Sequence, residues 1–191
     1  MVKDAIKFFL ETPICGLPPA EQFVGSGVYA LYYTGSHELY VKIASVNRKR
    51  PTAPIYVGKA VPPGWRTART TISESPDLFR RLNEHSRSLE QAKDLVQSDF
   101  CCRFMILADI ESDLVVPVEA ELIRELRPLW NTIVDGFGNH DPGAGRYNQA
   151  PSEWDTLHPG RTWAQRLTGN PPQLDAIIAR VQQFCSDLSL S

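Results

Sequence analysis

Residues 27–33 read Gly27-Val28-Tyr29-Ala30-Leu31-Tyr32-Tyr33, and residues 56–60 read Tyr56-Val57-Gly58-Lys59-Ala60. The first run is rich in aromatic and β-branched types, which predicts a strand. Alternation puts Tyr29, Leu31 and Tyr33 on one face and Val28, Ala30 and Tyr32 on the other. A second strand is predicted over 55–57, ended by Gly58, where the missing side chain lets backbone approach a ligand closely. Strand tyrosines usually serve packing, so each tyrosine taken alone points only to a core.

Outward from these two runs, the turn at Gly35 and Ser36 predicts that 39–44 is a hairpin partner of the first strand, followed by a basic loop over 47–52. A strongly apolar strand is expected over 100–110. Helices are expected at 4–11, stopped by Pro13, from Ser75-Pro76 to about Ala92, from Pro117 to near Pro128, and over 173–188. Residues 135–162, rich in Gly, Pro, Asn and His, read as a long ordered or functional loop. The pattern predicts an α+β fold, a small antiparallel sheet flanked by helices, with basic insertions and a C-terminal helical extension. Three segments follow: an N-terminal helical extension (1–23), a core (24–132), and a C-terminal loop and helix (133–191).

A chain of 191 residues suits one domain with a real core. Its formal charge of −2 gives no support to nucleic-acid binding and does not exclude it, because phosphate contact depends on local clustering. The bases do cluster, at Arg48-Lys49-Arg50, at Arg66 and Arg69, and at Arg80, Arg81 and Arg87. Cys15, Cys101, Cys102 and Cys185 form no CxxC pair, so neither a disulfide framework nor a zinc site is indicated. No stretch approaches a membrane span, and the charge-studded N-terminus lacks a signal-like apolar run, which makes the cytoplasm the expected location.

Two helices carry titratable groups in unusual places. On the helix after Pro117, Leu122, Ile123 and Leu126 form an apolar stripe with Glu119 in its middle. A carboxylate there is costly unless paired, protonated or metal-bound. The alternative is an acid of the first turn, stabilised by the helix dipole. On the helix after Pro76, Arg81 and His85 are four apart and flank the stripe of Leu78, Leu82 and Leu89. That pair suits a phosphoryl group, with a forked donor beside a titratable one, or it is a solvated flank with a satisfied histidine.

In order, Gly27-Val28-Tyr29, Tyr56-Val57-Gly58-Lys59-Ala60, Arg81-x-x-x-His85, Glu119-x-x-Leu122-Ile123 and Pro128-x-Trp130-Asn131 resemble the motif series of the GIY-YIG nucleases. The resemblance covers residues 27–131. Its long basic insertions, the run Tyr56 to Pro62, and a histidine at 85 look most like the type II restriction endonucleases of that superfamily, the CCGCGG-cutting, SacII-like group. The resemblance implies a three-stranded antiparallel sheet and a Mg²⁺-dependent cut of double-stranded DNA that leaves 5′-phosphate and 3′-hydroxyl. Glu119 would bind one Mg²⁺ per site, with Mn²⁺ able to substitute. Tyr29 would take the proton of the attacking water, its phenolate favoured by Lys59, Arg81 and the metal. His85 would bond Tyr29 or relay its proton. Arg81 would clamp the phosphate, Tyr56 would orient water or phosphate, and Asn131 would hold the metal-side network.

Candidate DNA contacts are Arg48, Lys49, Arg50, Arg66 and Arg69 in the insertions, and Asn139, His140, Arg146 and Asn148 in the glycine-rich segment 136–149. Arg146 is the first choice for reading a guanine. A palindromic site implies a homodimer, or alternatively a tetramer, and a cognate DNA methyltransferase as genetic partner. The rival readings are a repair or mobile-element nuclease of the same superfamily and a non-catalytic DNA-binding protein.

Overall fold

A computed structural model describes residues 1–62, 75–107 and 113–188. Among these, helix α1 (Val2–Glu11) leads to a two-residue strand β1 (Cys15–Gly16) and then to β2 (Gly27–Tyr33). A 3₁₀ turn (Glu38–Tyr40) continues into α2 (Val41–Lys49), followed by β3 (Tyr56–Ala60), α3 (Asp77–Gln91), β4 (Phe100–Ile106) and α4 (Val115–Leu126). The short helices α5 (Leu129–Thr132) and α6 (Glu153–Leu157) precede α7 (Leu174–Asp187).

Among the described residues the sheet has four strands in the order β1-β4-β2-β3, all pairs antiparallel. It is the expected three-stranded core plus the short edge strand β1. Strand β2 is central, and every one of its residues is buried because both faces are covered. Tyr29, Leu31 and Tyr33 join a core with α2, α3 and α7, whereas Val28, Ala30 and Tyr32 join a second core under α1 and α4. The expected alternation holds along the whole strand.

The hairpin partner expected over 39–44 is instead a 3₁₀ turn running into α2. Both edges of β2 are already taken, by β3 and β4, so no strand has room there. Tyr40, Ile43, Ala44 and Asn47 are the buried positions, and that spacing is helical. Asn47 fixes the helix by donating from Nδ2 to Tyr33 O and Ala53 O, at 3.0 and 2.9 Å. The loop expected to begin at 47 therefore begins after Lys49.

Helix α4 starts at Val115, so Pro117 lies inside its first turn, where a proline breaks no intrahelical bond. The long segment 135–162 is not an open loop. It contains α6, and its Phe137, Trp154 and Leu157 share the hydrophobic core of Tyr29 and Leu31 with Ile177 and Val181 of α7. A buried chain of hydrogen bonds ties this segment down: Trp130 Nε1 donates to Tyr40 Oη (3.2 Å), Tyr40 Oη lies 2.5 Å from His158 Nε2, and His158 Nδ1 lies 2.8 Å from Asp94. No helix among the described residues is long and apolar enough to cross a membrane.

Candidate active site

Strand β2 presents Tyr29 directly opposite Gly58 of β3. A Cβ at 58 would run into the Tyr29 hydroxyl, so the glycine is what lets the phenol fold across β3. From below, α3 offers His85, whose Nε2 lies 2.6 Å from Tyr29 Oη. Tyr56, at the start of β3, completes the group, with its ring centroid 6.2 Å from Tyr29 and 5.2 Å from His85.

Burial sets the protonation of this pair. Desolvation pushes the Tyr29 phenol well above its ordinary value, and Tyr56 adds to the rise, while Arg81 pulls the other way with less effect. Burial outweighs the pull of Arg81 toward the phenolate, so the enclosed Tyr29 is a neutral phenol. Burial and then Arg81 drive His85 well below the usual imidazole range. A neutral His85 can offer Nε2 as acceptor to the Tyr29 hydroxyl. Burial likewise lowers His158, against the pull of Asp94.

This has a consequence for stability. The unfolded chain protonates these histidines near pH ~6.5, whereas the folded chain keeps them neutral to lower pH. Their stabilising contribution is full above that value and is lost as pH falls through it toward the depressed folded values. The melting temperature should therefore fall between about pH 7 and pH 5. A melting temperature that rises over that interval contradicts the assignment of neutral buried imidazoles.

Arg81, one turn before His85, points to the open side. Its Nη1 donates to Glu84 (2.9 Å) and meets His140 Nε2 at 2.8 Å, and its Nη2 donates to Gly138 O at 2.7 Å. A cavity of about 390 Å³ opens in front of it, lined by Lys59, Ala60, Arg80, Arg81, Glu84 and His140 among others. Glu119 lies in the apolar stripe of α4 as expected, with Val118 and Leu122 buried beside it, and its carboxylate is bonded to Lys59 Nζ. It is the fifth residue of α4, beyond the first turn, so pairing rather than the helix dipole stabilises it.

Asn131 reaches the backbone of β3. Its side chain accepts from Val57 N and donates to Val57 O, both at 2.8 Å, which pins β3 beside Tyr56. Arg48 is committed to backbone carbonyls at the end of β2, with Nε donating to Thr34 O at 2.7 Å and a second donor to Gly35 O. Lys49, Arg50, Asn139, His140, Arg146 and Asn148 are solvent-exposed, and His140 is the one of them joined to Arg81. Arg66 and Arg69 lie outside the described residues.

Sequence reasoning missed Phe137 and Gly138. The Phe137 ring stacks on His85, with centroids 4.5 Å apart and planes 16° from parallel. A Cβ at Gly138 would sit 2.5 Å from Tyr56 Oη. The available signal was an aromatic set between glycines, Gly136-Phe137-Gly138, in a segment whose glycines and polar side chains point to DNA contact.

Residues from β2, β3 and α3 thus meet at the Tyr29 hydroxyl, with Phe137 stacked on His85 and Lys59 of β3 joined to Glu119 of α4. A phenol bonded to an imidazole, a forked cation lining an open cavity and a carboxylate paired with a cavity-lining lysine suit attack on a phosphodiester. A protein-family model described as the Eco29kI GIY-YIG domain matches residues 21–185. No curated protein matches the chain.

Proposed function

Because the chain belongs to the Eco29kI GIY-YIG domain family of restriction endonucleases, we propose that it cuts double-stranded DNA at a short palindromic site, with CCGCGG as the first sequence to test. The observation that carries the chemistry is the buried 2.6 Å contact between Tyr29 Oη and His85 Nε2, with the Tyr56 ring beside both.

The donor set fits Mg²⁺, which keeps most of its waters and needs few protein ligands. Glu119 would hold it, in exchange for the Lys59 ammonium that its carboxylate now meets, and Mn²⁺ could take its place. When bound, the metal supplies charge stabilisation to the phosphate and the leaving oxygen.

The chain's own residues do the rest. Arg81 turns its guanidinium from Glu84 and His140 to the nonbridging oxygens of the scissile phosphate. Tyr56, partly exposed beside Tyr29, orients the attacking water. As the water oxygen bonds to phosphorus, its proton passes to Tyr29 Oη while the phenolic proton moves to His85 Nε2. No free phenolate has to form first; the cost of burial falls instead on the His85 imidazolium, which the charge developing on the phosphate offsets. The P–O3′ bond breaks, leaving a 5′-phosphate and a 3′-hydroxyl that takes a proton from solvent. Asn131 acts from behind by holding Val57, and hence the Tyr56 backbone, in register.

Two copies related by a two-fold axis would place one such site on each strand of a palindrome. A methyltransferase protecting the same sequence is the expected genetic partner, and the cytoplasm the expected location. Lys49, Arg50, Asn139, Arg146 and Asn148, exposed in the structure, are the proposed DNA contacts beyond the catalytic groups, with Arg146 reading a guanine. Plasmid DNA incubated with the protein and Mg²⁺ should give discrete bands. A smear would overturn the site-specific reading, and the absence of any cutting with Mg²⁺ or Mn²⁺ would overturn the nuclease reading.

A further inference from the structure

Arg161 has no part in that chemistry, yet it is among the most enclosed side chains in the protein, 1% exposed. A buried guanidinium is tolerated only where its charge and its N–H groups are met. Asp155 meets the charge in a two-point pair, Nε to Oδ1 at 2.6 Å and Nη2 to Oδ2 at 2.7 Å. Ser152 Oγ donates to the same carboxylate at 2.7 Å and holds it in place. Trp154 and Trp163 pack against the guanidinium, whose central carbon lies 4.7 and 4.6 Å from their ring centroids.

The remaining donors go to backbone. Nη2 donates to Gly136 O at 2.9 Å, and Nη1 donates to Phe137 O at 3.0 Å and Asn139 O at 3.3 Å. Three carbonyls of one tight loop are thus gathered on one planar fork, which a lysine cannot reproduce. The loop needs such a hold, because Gly136 is in the left-handed region at φ 96° and the chain turns sharply there.

The opposite side of this loop faces the catalytic groups. Phe137 stacks on His85, Gly138 O accepts from Arg81, and the bare Cα of Gly138 leaves room for the Tyr56 hydroxyl. We infer that Arg161 is a positioning residue for DNA cleavage: by fixing the backbone of residues 136–139 it sets how Arg81, His85 and Tyr56 face the scissile phosphate. The inference rests on the nuclease reading given above.

The test compares Arg161→Lys and Gly138→Ala with the wild-type protein. Single-turnover cleavage of plasmid DNA in Mg²⁺ is measured beside affinity for the same DNA in EDTA and thermal melting. Arg161→Lys keeps the charge opposite Asp155 and removes the fork. Gly138→Ala leaves the Arg161 cluster whole and disturbs the same contact from the loop side. A misplacement on the order of 1 Å at reacting groups costs about 100-fold in rate, so each variant should lose about that much cleavage while DNA affinity stays within about threefold. Cleavage within about threefold of wild type in either folded variant overturns the inference, as does a loss of affinity that matches the loss of cleavage. If Arg161→Lys does not fold, Ser152→Ala, which loosens the Asp155 carboxylate that holds Arg161, takes its place and should lower cleavage with DNA affinity kept. A wild-type protein that fails to cut removes the nuclease reading itself, a result distinct from wild-type cutting with both variants unimpaired.

Discussion

Glu119→Gln is expected to lower single-turnover cleavage by at least about 10³-fold, because a bound metal contributes several kcal/mol to the transition state and each 1.36 kcal/mol is tenfold in rate. The direction of the accompanying change in DNA affinity is equally diagnostic. Glu119 carries a negative charge beside the cavity that would receive phosphate, and Lys59 now neutralises it. Removing that charge frees Lys59 for the DNA backbone, so affinity in EDTA should hold or rise. Glutamine keeps the shape of the side chain in the apolar stripe of α4, where Val118 and Leu122 are buried beside it. Cleavage within tenfold of wild type, or a loss of DNA affinity in EDTA, contradicts the role given to this carboxylate.

Tyr29→Phe should cost about 10²–10⁴-fold in cleavage, the range expected for a positioned group that moves a proton in the transition state. The phenol is fully buried, its ring packs in the core of Leu31 and Tyr33, and phenylalanine fills the same space. The fold should therefore survive. The hydrogen bond to His85 is lost, and the imidazole nitrogen left without that partner costs about 1–3 kcal/mol of stability. Melting and cleavage are thus predicted to separate: a modest fall in melting temperature beside a large fall in rate. A variant that melts lower and cuts at the wild-type rate would falsify the relay and leave Tyr29 as a packing residue.

Strand β2 and its two faces were legible because a period of two with large residues on both sides fits only a central strand. Glu119 was legible for a related reason, since a carboxylate in an apolar helical stripe stands against its surroundings. Residues 39–44 were misread because Leu39, Tyr40 and Val41 carry strand-forming types, while the decision lay in the sheet topology: β3 and β4 already fill both edges of β2. The burial that raises the Tyr29 phenol was not legible. Charge partners can be counted along a chain, whereas desolvation depends on how closely the fold shuts around the group.

The loop 136–140 shows a different limit. Its polar side chains were read as DNA contacts, and its part in the site comes from the Phe137 ring, the missing Cβ of Gly138 and backbone carbonyls held by Arg161. Backbone groups have no signature in sequence. Asn131 belongs to the same class, because its place in the motif series was plain while its partner, the Val57 backbone, was not.

The most direct measurement is to sequence the DNA ends produced when wild-type protein and Mg²⁺ act on plasmid DNA, with Glu119→Gln prepared and treated alongside. The predicted result is a set of ligatable 5′-phosphate ends that all fall within one short palindrome, and none from the variant. Ends scattered without sequence preference, or the same ends from both preparations, would contradict a site-specific nuclease built on Tyr29, His85, Arg81 and Glu119.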